Sequence, residues 1–283
     1  MTTHYFSVDV EEYFQVSAFE GSVPRDLWER LPSRVEGSVY GILDLLARHD
    51  ARGTFFTLGW VAERHPKMIK RIAGAGHEIA SHGWDHVRVT QQTPDEFRSS
   101  VHRSKACLED LSGAPVLGFR APSFSIVPGR EWALDILVEV GYRYDSSLFP
   151  IHRPGGYGYA SAGREPFVLE RAAGNLDEFP PATLRRLGLN LPAGGGAYFR
   201  IFPYALVQQA FRHFDARGVP GTFYMHPWEI DPDQPRQEAP LSSRLRHYTG
   251  LSRTLPRLER LLTEFRFTAI ADRYSRSASL AAS

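Results

Sequence analysis

Thr54-Phe55-Phe56-Thr57-Leu58, then Pro66-Lys67-Met68-Ile69-Lys70-Arg71-Ile72-Ala73-Gly74, then Glu78-Ile79-Ala80-Ser81 read as strand, helix, strand. The first segment is β-branched and aromatic, the composition of a buried strand. The second opens on a proline at an early helical position, repeats Met68, Ile69 and Ile72 at helical spacing, and ends among Gly74 and Gly76. The third is another short strand. Short apolar strands joined by a covering helix run parallel in one sheet.

The same unit recurs on both sides. Toward the N-terminus, Val35 to His49 is a helix with Val39, Ile42, Leu43, Leu45 and Leu46 on its apolar face, and Tyr5 to Val10 is an alternating strand ending in acids. Toward the C-terminus, Thr93 is the N-cap and Glu96 the capping-box partner of a helix running to about Leu111. A strand at Val116 to Arg120, a helix at Glu131 to Val140 closed by Gly141, and a strand at Tyr142 to Asp145 follow. Glu178-Phe179-Pro180-Pro181 is a short strand stopped by prolines. Tyr204 to Arg217 is a helix, Thr222 to His226 a strand, Leu255 to Phe265 a helix and Phe267 to Ala271 the last strand. His152 to Arg164 and Asp231 to Tyr248 read as loops, and Gly194-Gly195-Gly196 as a turn, since no Lys-Ser/Thr follows it. Seven or eight such units favour a closed α/β barrel, a single domain over residues 1–274, over an open doubly wound sheet. No Gly-x-Gly-x-x-Gly follows the first strand, which argues against dinucleotide binding. Ser275 to Ser283 is small and polar and is expected to fray.

Composition removes several classes of function. The 283 residues carry 33 Lys+Arg against 32 Asp+Glu, a formal charge of +1, which excludes a strongly basic nucleic-acid binder. At 42% hydrophobic and 23% charged, the chain has the make-up of an ordinary soluble globular protein. The single cysteine, Cys107, excludes an intramolecular disulfide framework and a cysteine zinc cluster, and reads as a small buried hydrophobe within a helix. Any metal must be held by His, Asp or Glu. No apolar run approaches the roughly 20 residues of a membrane span. Met1-Thr2-Thr3-His4 lacks a basic leader, so a cytoplasmic location is expected.

Functional residues of a βα barrel gather at the C-terminal ends of its strands. Here those positions carry Asp9, Glu11 and Glu12, His82 and His86, Arg120, Asp145, Glu178 and His226. His82 and His86, four apart in Ser81-His82-Gly83-Trp84-Asp85-His86, share a face if the segment is a helical turn. Two imidazoles with one carboxylate make a zinc-type site with a position left for water. Asp9 and Glu11, two apart on an extended segment, also share a face, so one acid can bind metal while the other serves as base; Glu12 points the other way. Arg120, entering the rigid turn Phe119-Arg120-Ala121-Pro122, can hold Asp9 bidentately. His226 ends an apolar strand at the functional end.

Taken together, Ser7-Val8-Asp9-Val10-Glu11-Glu12, Thr54-Phe55-Phe56, Ser81-His82-Gly83-Trp84-Asp85-His86, Arg120-Ala121-Pro122 and Met225-His226 resemble the polysaccharide deacetylases, the NodB-homology or carbohydrate esterase family 4 group. The resemblance runs from about Tyr5 to Ala271. It is closest to the subgroup associated with bacterial exopolysaccharide export loci, through Asp9-Val10-Glu11-Glu12-Tyr13-Phe14 and Asp145-Ser146-Ser147-Leu148-Phe149-Pro150. The resemblance implies a distorted (β/α)7 barrel and a divalent metal, usually zinc, held by one carboxylate and two histidines. It carries over His82 and His86 as metal ligands, Asp9 as general base, Arg120 as the arginine orienting it and His226 as general acid. Asp145 is expected to polarise His226 or to bind sugar hydroxyls.

The sequence departs from the family pattern twice. Val10 stands where a second adjacent Asp is usual, so the metal carboxylate is assigned to Glu11, with Glu12 as the substitute. Ser123 stands where an aromatic usually follows the proline; its backbone N–H is the expected oxyanion donor, and the aromatic wall is expected from Trp84, Phe124 or Trp228. The implied reaction is removal of N-acetyl groups from amino sugars of a polysaccharide. The alternatives are a cyclic-amide hydrolase on the same barrel and a non-catalytic glycan-binding relative.

Overall fold

The computed structural model describes residues 2–151 and 157–274. The tail expected at 275–283 and part of the loop expected at 152–164 lie outside the described residues. The strands are β1 (Thr3–Val10), β2 (Thr54–Thr57), β3 (Glu78–Ser81), β4 (Gly118–Phe119), β5 (Tyr144–Asp145), β6 (Phe167–Arg171), β7 (Gly174–Glu178), β8 (Thr183–Arg186), β9 (Leu189–Pro192), β10 (Thr222–Met225) and β11 (Arg266–Thr268). The helices are α1 (Val35–Arg48), α2 (Gly59–Arg64), α3 (Pro66–Gly74), α4 (Pro94–Ser112), α5 (Trp132–Val140), α6 (Gly196–Ile201), α7 (Tyr204–Arg217), α8 (Leu241–Tyr248) and α9 (Thr254–Glu264).

Among the described residues, seven strands run parallel in the order β10-β1-β2-β3-β4-β5-β7. The ring closes just beyond β7, where Pro181 lies opposite Thr222 of β10 and the Ala182 N–H donates to the Thr222 carbonyl at 2.9 Å. Pro180 and Pro181 have no N–H to give, so this seam is a bridge rather than a ladder. That weak seam is the distortion in the (β/α)7 barrel. β11 pairs the start of β1, beside the ring, and β6 pairs β7 antiparallel.

Alternation along the strands sorts the side chains. Phe6, Val8 and Val10 of β1, with Phe55 and Phe119, face outward into the main core beneath the helices. Tyr5, Phe56, Ala80, Tyr144, Phe179 and Ile270 form a separate cluster that fills the barrel interior. The Tyr144 ring crosses Gly118 so closely that a Cβ there would stand 1.9 Å from it, which is why β4 carries glycine at that position. The polar residues lie past this plug, at the C-terminal mouth.

The first half follows its sequence signals closely. α4 has the complete Thr93–Glu96 capping box and ends on left-handed Gly113. Cys107 is partly rather than fully buried on that helix. The second half departs from the sequence reading. The region read as a loop at Asp231 to Tyr248 contains α8, whose Leu241 and Leu245 are exposed while His247 is buried, so no apolar stripe announces it. The β8–β9 hairpin turns at Leu187 and Gly188, both with positive φ, where Asn-Gly would have been the recognisable signal. Gly194-Gly195-Gly196 is more than a turn: Gly195 bridges Tyr224 of β10, and a Cβ there would fall 1.7 Å from the Tyr224 carbonyl oxygen. Among the described residues, no helix is long and apolar enough to cross a membrane.

Candidate active site

A cavity of about 370 Å³ opens at the barrel mouth, lined by Asp9, Glu11, His82, His86, His226 and Trp228 among others. They arrive in pairs from the ends of β1, β3 and β10. Asp9 and Glu11 continue the inward face of β1 set by Tyr5 and Ser7. His82 follows β3, and its Nδ1 lies 2.7 Å from the Arg120 carbonyl oxygen. A carbonyl only accepts, so Nδ1 carries the hydrogen and Nε2 keeps its lone pair. Burial lowers the His82 pKa to about 4, so the ring is neutral at pH 7.

The His82–His86 segment is not helical. It is a bend in which Gly83 (φ 79°) and His86 (φ 60°) adopt left-handed backbone, bringing the ring centroids to 5.6 Å. The bend is tied to the start of α2, whose Gly59 and Trp60 N–H groups donate to the Gly83 and Trp84 carbonyls at 2.9 and 2.8 Å. Those donors would otherwise be orphans of the helix N-terminus.

Glu11, His82 and His86 offer ligand atoms that all lie within 4.8 Å of one another. Glu11 Oε2 is 2.7 Å from His86 Nε2, and Oε1 accepts from Trp228 Nε1 at 3.1 Å. Burial alone would raise the Glu11 pKa, but the neighbouring His86 and His226 draw it down to about 2. A buried carboxylate oxygen that meets only an imidazole nitrogen, together with the free Nε2 of His82, is the donor set of a divalent cation that accepts nitrogen and oxygen. These residues fit the implied metal.

Glu12 belongs elsewhere. It accepts from Ser33 Oγ and from the Arg34 and Val35 N–H groups, capping the start of α1, so it is not available as the substitute ligand. Arg120 is wholly buried and meets Asp9, but through one nitrogen rather than two. Nη1 donates to Asp9 Oδ1 at 2.6 Å and to Ser7 Oγ at 2.8 Å, while Nη2 donates to Ser146 Oγ at 2.7 Å. The fork is divided because β4 seats it between β1 and the segment after β5, above the Phe56 ring at 4.1 Å.

His226 faces this group from across the mouth. Its Nε2 lies 3.9 Å from Asp9 Oδ2 and 3.8 Å from Glu11 Oε1. Burial opposes its charge, but Glu11, Glu229 and Asp9 together raise its pKa to about 9. The partner of its other nitrogen is Glu229, at 3.1 Å from Nδ1, and not Asp145. Parity explains the difference. Tyr144 and Ser146 point into the barrel, so Asp145 between them points out, where it accepts from the Ser147 N–H and Oγ and neighbours buried Glu178.

Of the residues expected to touch substrate, Ser123, Phe124 and Trp228 line the cavity. Ser123 and Phe124 both have positive φ, 55° and 52°, strain held by the Pro122 turn at the site's edge. Trp84 turns away, packing against Gly59 and beneath the Arg103 guanidinium. The residues that sequence reasoning missed come from the second half: Glu229, Arg200 and His247. Trp228 is sandwiched between His226 and His247, with centroids at 4.9 and 4.1 Å. His226-Pro227-Trp228-Glu229 held a signal, an acid one turn beyond the histidine, whereas Arg200 and His247 had none.

The family described as polysaccharide deacetylase matches residues 31–144, and one described as a domain of unknown function (DUF3473) matches residues 146–275. The peptidoglycan-N-acetylglucosamine deacetylase of Bacillus cereus is 35% identical over 95 residues, 33% of this chain and 34% of that protein, so the match spans about a third of its length. The crystal structure of Puue allantoinase superposes with a TM-score of 0.60 at 19% identity, covering 96% of this chain and 88% of that one. A family 4 carbohydrate esterase from Streptomyces lividans does so with 0.50 at 14% identity, covering 93% and 88%. At these identities the two structures bear on the fold, and both are likenesses over nearly the whole chain. Residues 31–144 thus carry a polysaccharide deacetylase family match, set on a barrel that resembles both structures over nearly the whole chain.

Proposed function

We propose that this protein is a metal-dependent hydrolase that removes N-acetyl groups from amino sugars of a polysaccharide, a bacterial exopolysaccharide by its resemblance to the export-locus subgroup. The observation that carries the reading is the meeting of Glu11, His82 and His86 within 4.8 Å, with Asp9 on one side and His226 on the other. A scaffold that only bound glycan would have no use for a base and an acid facing one another across a metal-ligating cluster.

Glu11, His82 and His86 would hold the ion, zinc by its taste for two imidazoles and a carboxylate. Bound there, such an ion acts as a Lewis acid and lowers the pKa of water to near ~7. The chain's own groups do the rest. Arg120 fixes Asp9 through Oδ1, leaving Oδ2 to take the proton of the attacking water. The Ser123 N–H stabilises the oxyanion, a contact whose loss typically costs ~10²–10³ in rate. His226 Nε2 gives its proton to the departing nitrogen, a role worth roughly 10²–10⁴, because an amide anion is a very poor leaving group. Phe124 and the edge of Trp228, whose faces are covered by His226 and His247, supply apolar wall for a sugar ring.

The test is acetate release from a panel of N-acetylated glycans with zinc, cobalt or chelator, alongside a cyclic amide. Release from a glycan that needs the ion supports the proposal. Ring opening of the cyclic amide without acetate release would contradict it.

A further inference from the structure

The residues behind His226 lie wholly within the segment that matches a domain of unknown function. Glu229 is completely buried, and its Oε1 lies 3.1 Å from His226 Nδ1 and 3.6 Å from Arg200 Nε. Arg200, also completely buried, spends its other nitrogens on the end of α8, donating through Nη1 to the His247 and Thr249 carbonyls at 2.8 and 2.7 Å. A buried Glu–Arg pair is costly to desolvate and is weak as a device for stability alone. This one ends on the edge of an imidazole whose face is fixed by Trp228.

We propose that Glu229 is the positioning residue for His226: backed by Arg200, its carboxylate accepts the Nδ1 hydrogen and so turns Nε2 into the space between Asp9 and Glu11. A carboxylate only accepts hydrogen bonds, so Nδ1 carries a hydrogen at this contact and Nε2 is the nitrogen left to give its proton to the reaction. The edge contact and the Trp228 stack together leave the ring one orientation. Arg200 couples that orientation to α8, which roofs the cavity through Ser242, Ser243 and Arg246. The segment of unknown function thereby supplies the proton donor, its support and the roof of the site.

This inference rests on the deacetylase reading for its kinetics but not for its geometry, and two readouts separate them. Zinc-loaded wild type, Glu229→Gln and Glu229→Asp are compared at equal metal content on a chitooligosaccharide and on 4-nitrophenyl acetate, whose leaving group departs without a proton. The loss in kcat for Glu229→Gln is expected to be about 10- to 100-fold on the amide, at least tenfold greater than on the ester, and partly restored in Glu229→Asp. The Nδ1 hydrogen of His226, observed by ¹H–¹⁵N NMR and assigned with His226→Gln, is expected far downfield in wild type, as a hydrogen bonded to a carboxylate is, and shifted upfield in Glu229→Gln. Equal losses on amide and ester, or an Nδ1 hydrogen signal that does not move in Glu229→Gln, would overturn the proposal. Absence of acetate release from every glycan by wild type would sink the deacetylase reading, and the His226 signals would still decide this one.

Discussion

The two halves of this barrel build their share of the site differently. Up to Phe149 the chain is a run of regular βα units, and the residues that matter sit at the C-terminal ends of three strands: Asp9 and Glu11 at β1, His82 at β3, Arg120 at β4. From Phe167 onward the regular pattern breaks into two hairpins, a glycine-tight passage against β10 and a short helix over the cavity. That half closes the barrel through a proline-limited seam and contributes His226, Trp228, Glu229, Arg200 and His247. In the proposed chemistry the first half holds the ion and the base, while the second holds the proton donor. In that chemistry neither half has a complete site; the two family matches divide the chain between residues 144 and 146, with Asp9 and Glu11 ahead of the first match.

The largest expected effects separate the halves. Asp9→Asn and His226→Ala should each lower kcat for glycan deacetylation by ~10²–10⁴ while keeping the metal, whereas His82→Ala should lose both activity and metal. Steady-state acetate release paired with elemental analysis reads this, and loss of metal in His226→Ala would break the division of labour.

A smaller effect concerns the acids that face away from the site. Glu178 and Asp145 are wholly buried neighbours, and burial raises both carboxyls above the ordinary range, Glu178 well above it. The unfolded chain releases these protons at ordinary carboxylate pH, so folding is most stable below that range. Stability is then lost as pH rises toward the raised folded values. Glu178→Gln removes the Glu178 contribution, so its melting temperature should exceed that of wild type at pH 8 and by less at pH 4.5. A gain of ~1 kcal/mol corresponds to roughly 2–4 °C for a domain of this general size. Thermal melts at the two pH values check the sign.

The smallest test lies in the first half alone. Thr93→Ala should remove the capping box of α4, costing ~1 kcal/mol, again a shift of a few degrees. Because α4 packs behind the His82–His86 bend, where Ser100 Oγ accepts from the Trp84 N–H, and does not itself line the cavity, kcat should change less than twofold. Calorimetry with an activity assay reads both.

How far the site could be read in advance depends on what kind of signal each residue left. Strand alternation correctly separated Asp9 and Glu11 from Glu12, since period two is a local property. The same rule applied to β5 would have turned Asp145 outward, because Tyr144 and Ser146 are its inward neighbours. His82 and His86 come together by another geometry than the helical turn expected, since left-handed Gly83 and His86 do what a helix was expected to do. Arg200 was invisible because its partners, Glu229 and the α8 carbonyls, lie 29 or more residues away. α8 and the β8–β9 hairpin were missed because exposed leucines and a Leu-Gly turn carry no periodicity or turn signature.

The most direct test of the account is zinc binding by equilibrium dialysis with elemental analysis on wild type, Glu11→Gln, His86→Ala and Glu12→Gln. The account predicts one zinc per wild-type chain, retained in Glu12→Gln and weakened at least ~100-fold in Glu11→Gln and His86→Ala. A wild type that binds no divalent ion, or zinc lost in Glu12→Gln but kept in Glu11→Gln, would contradict it.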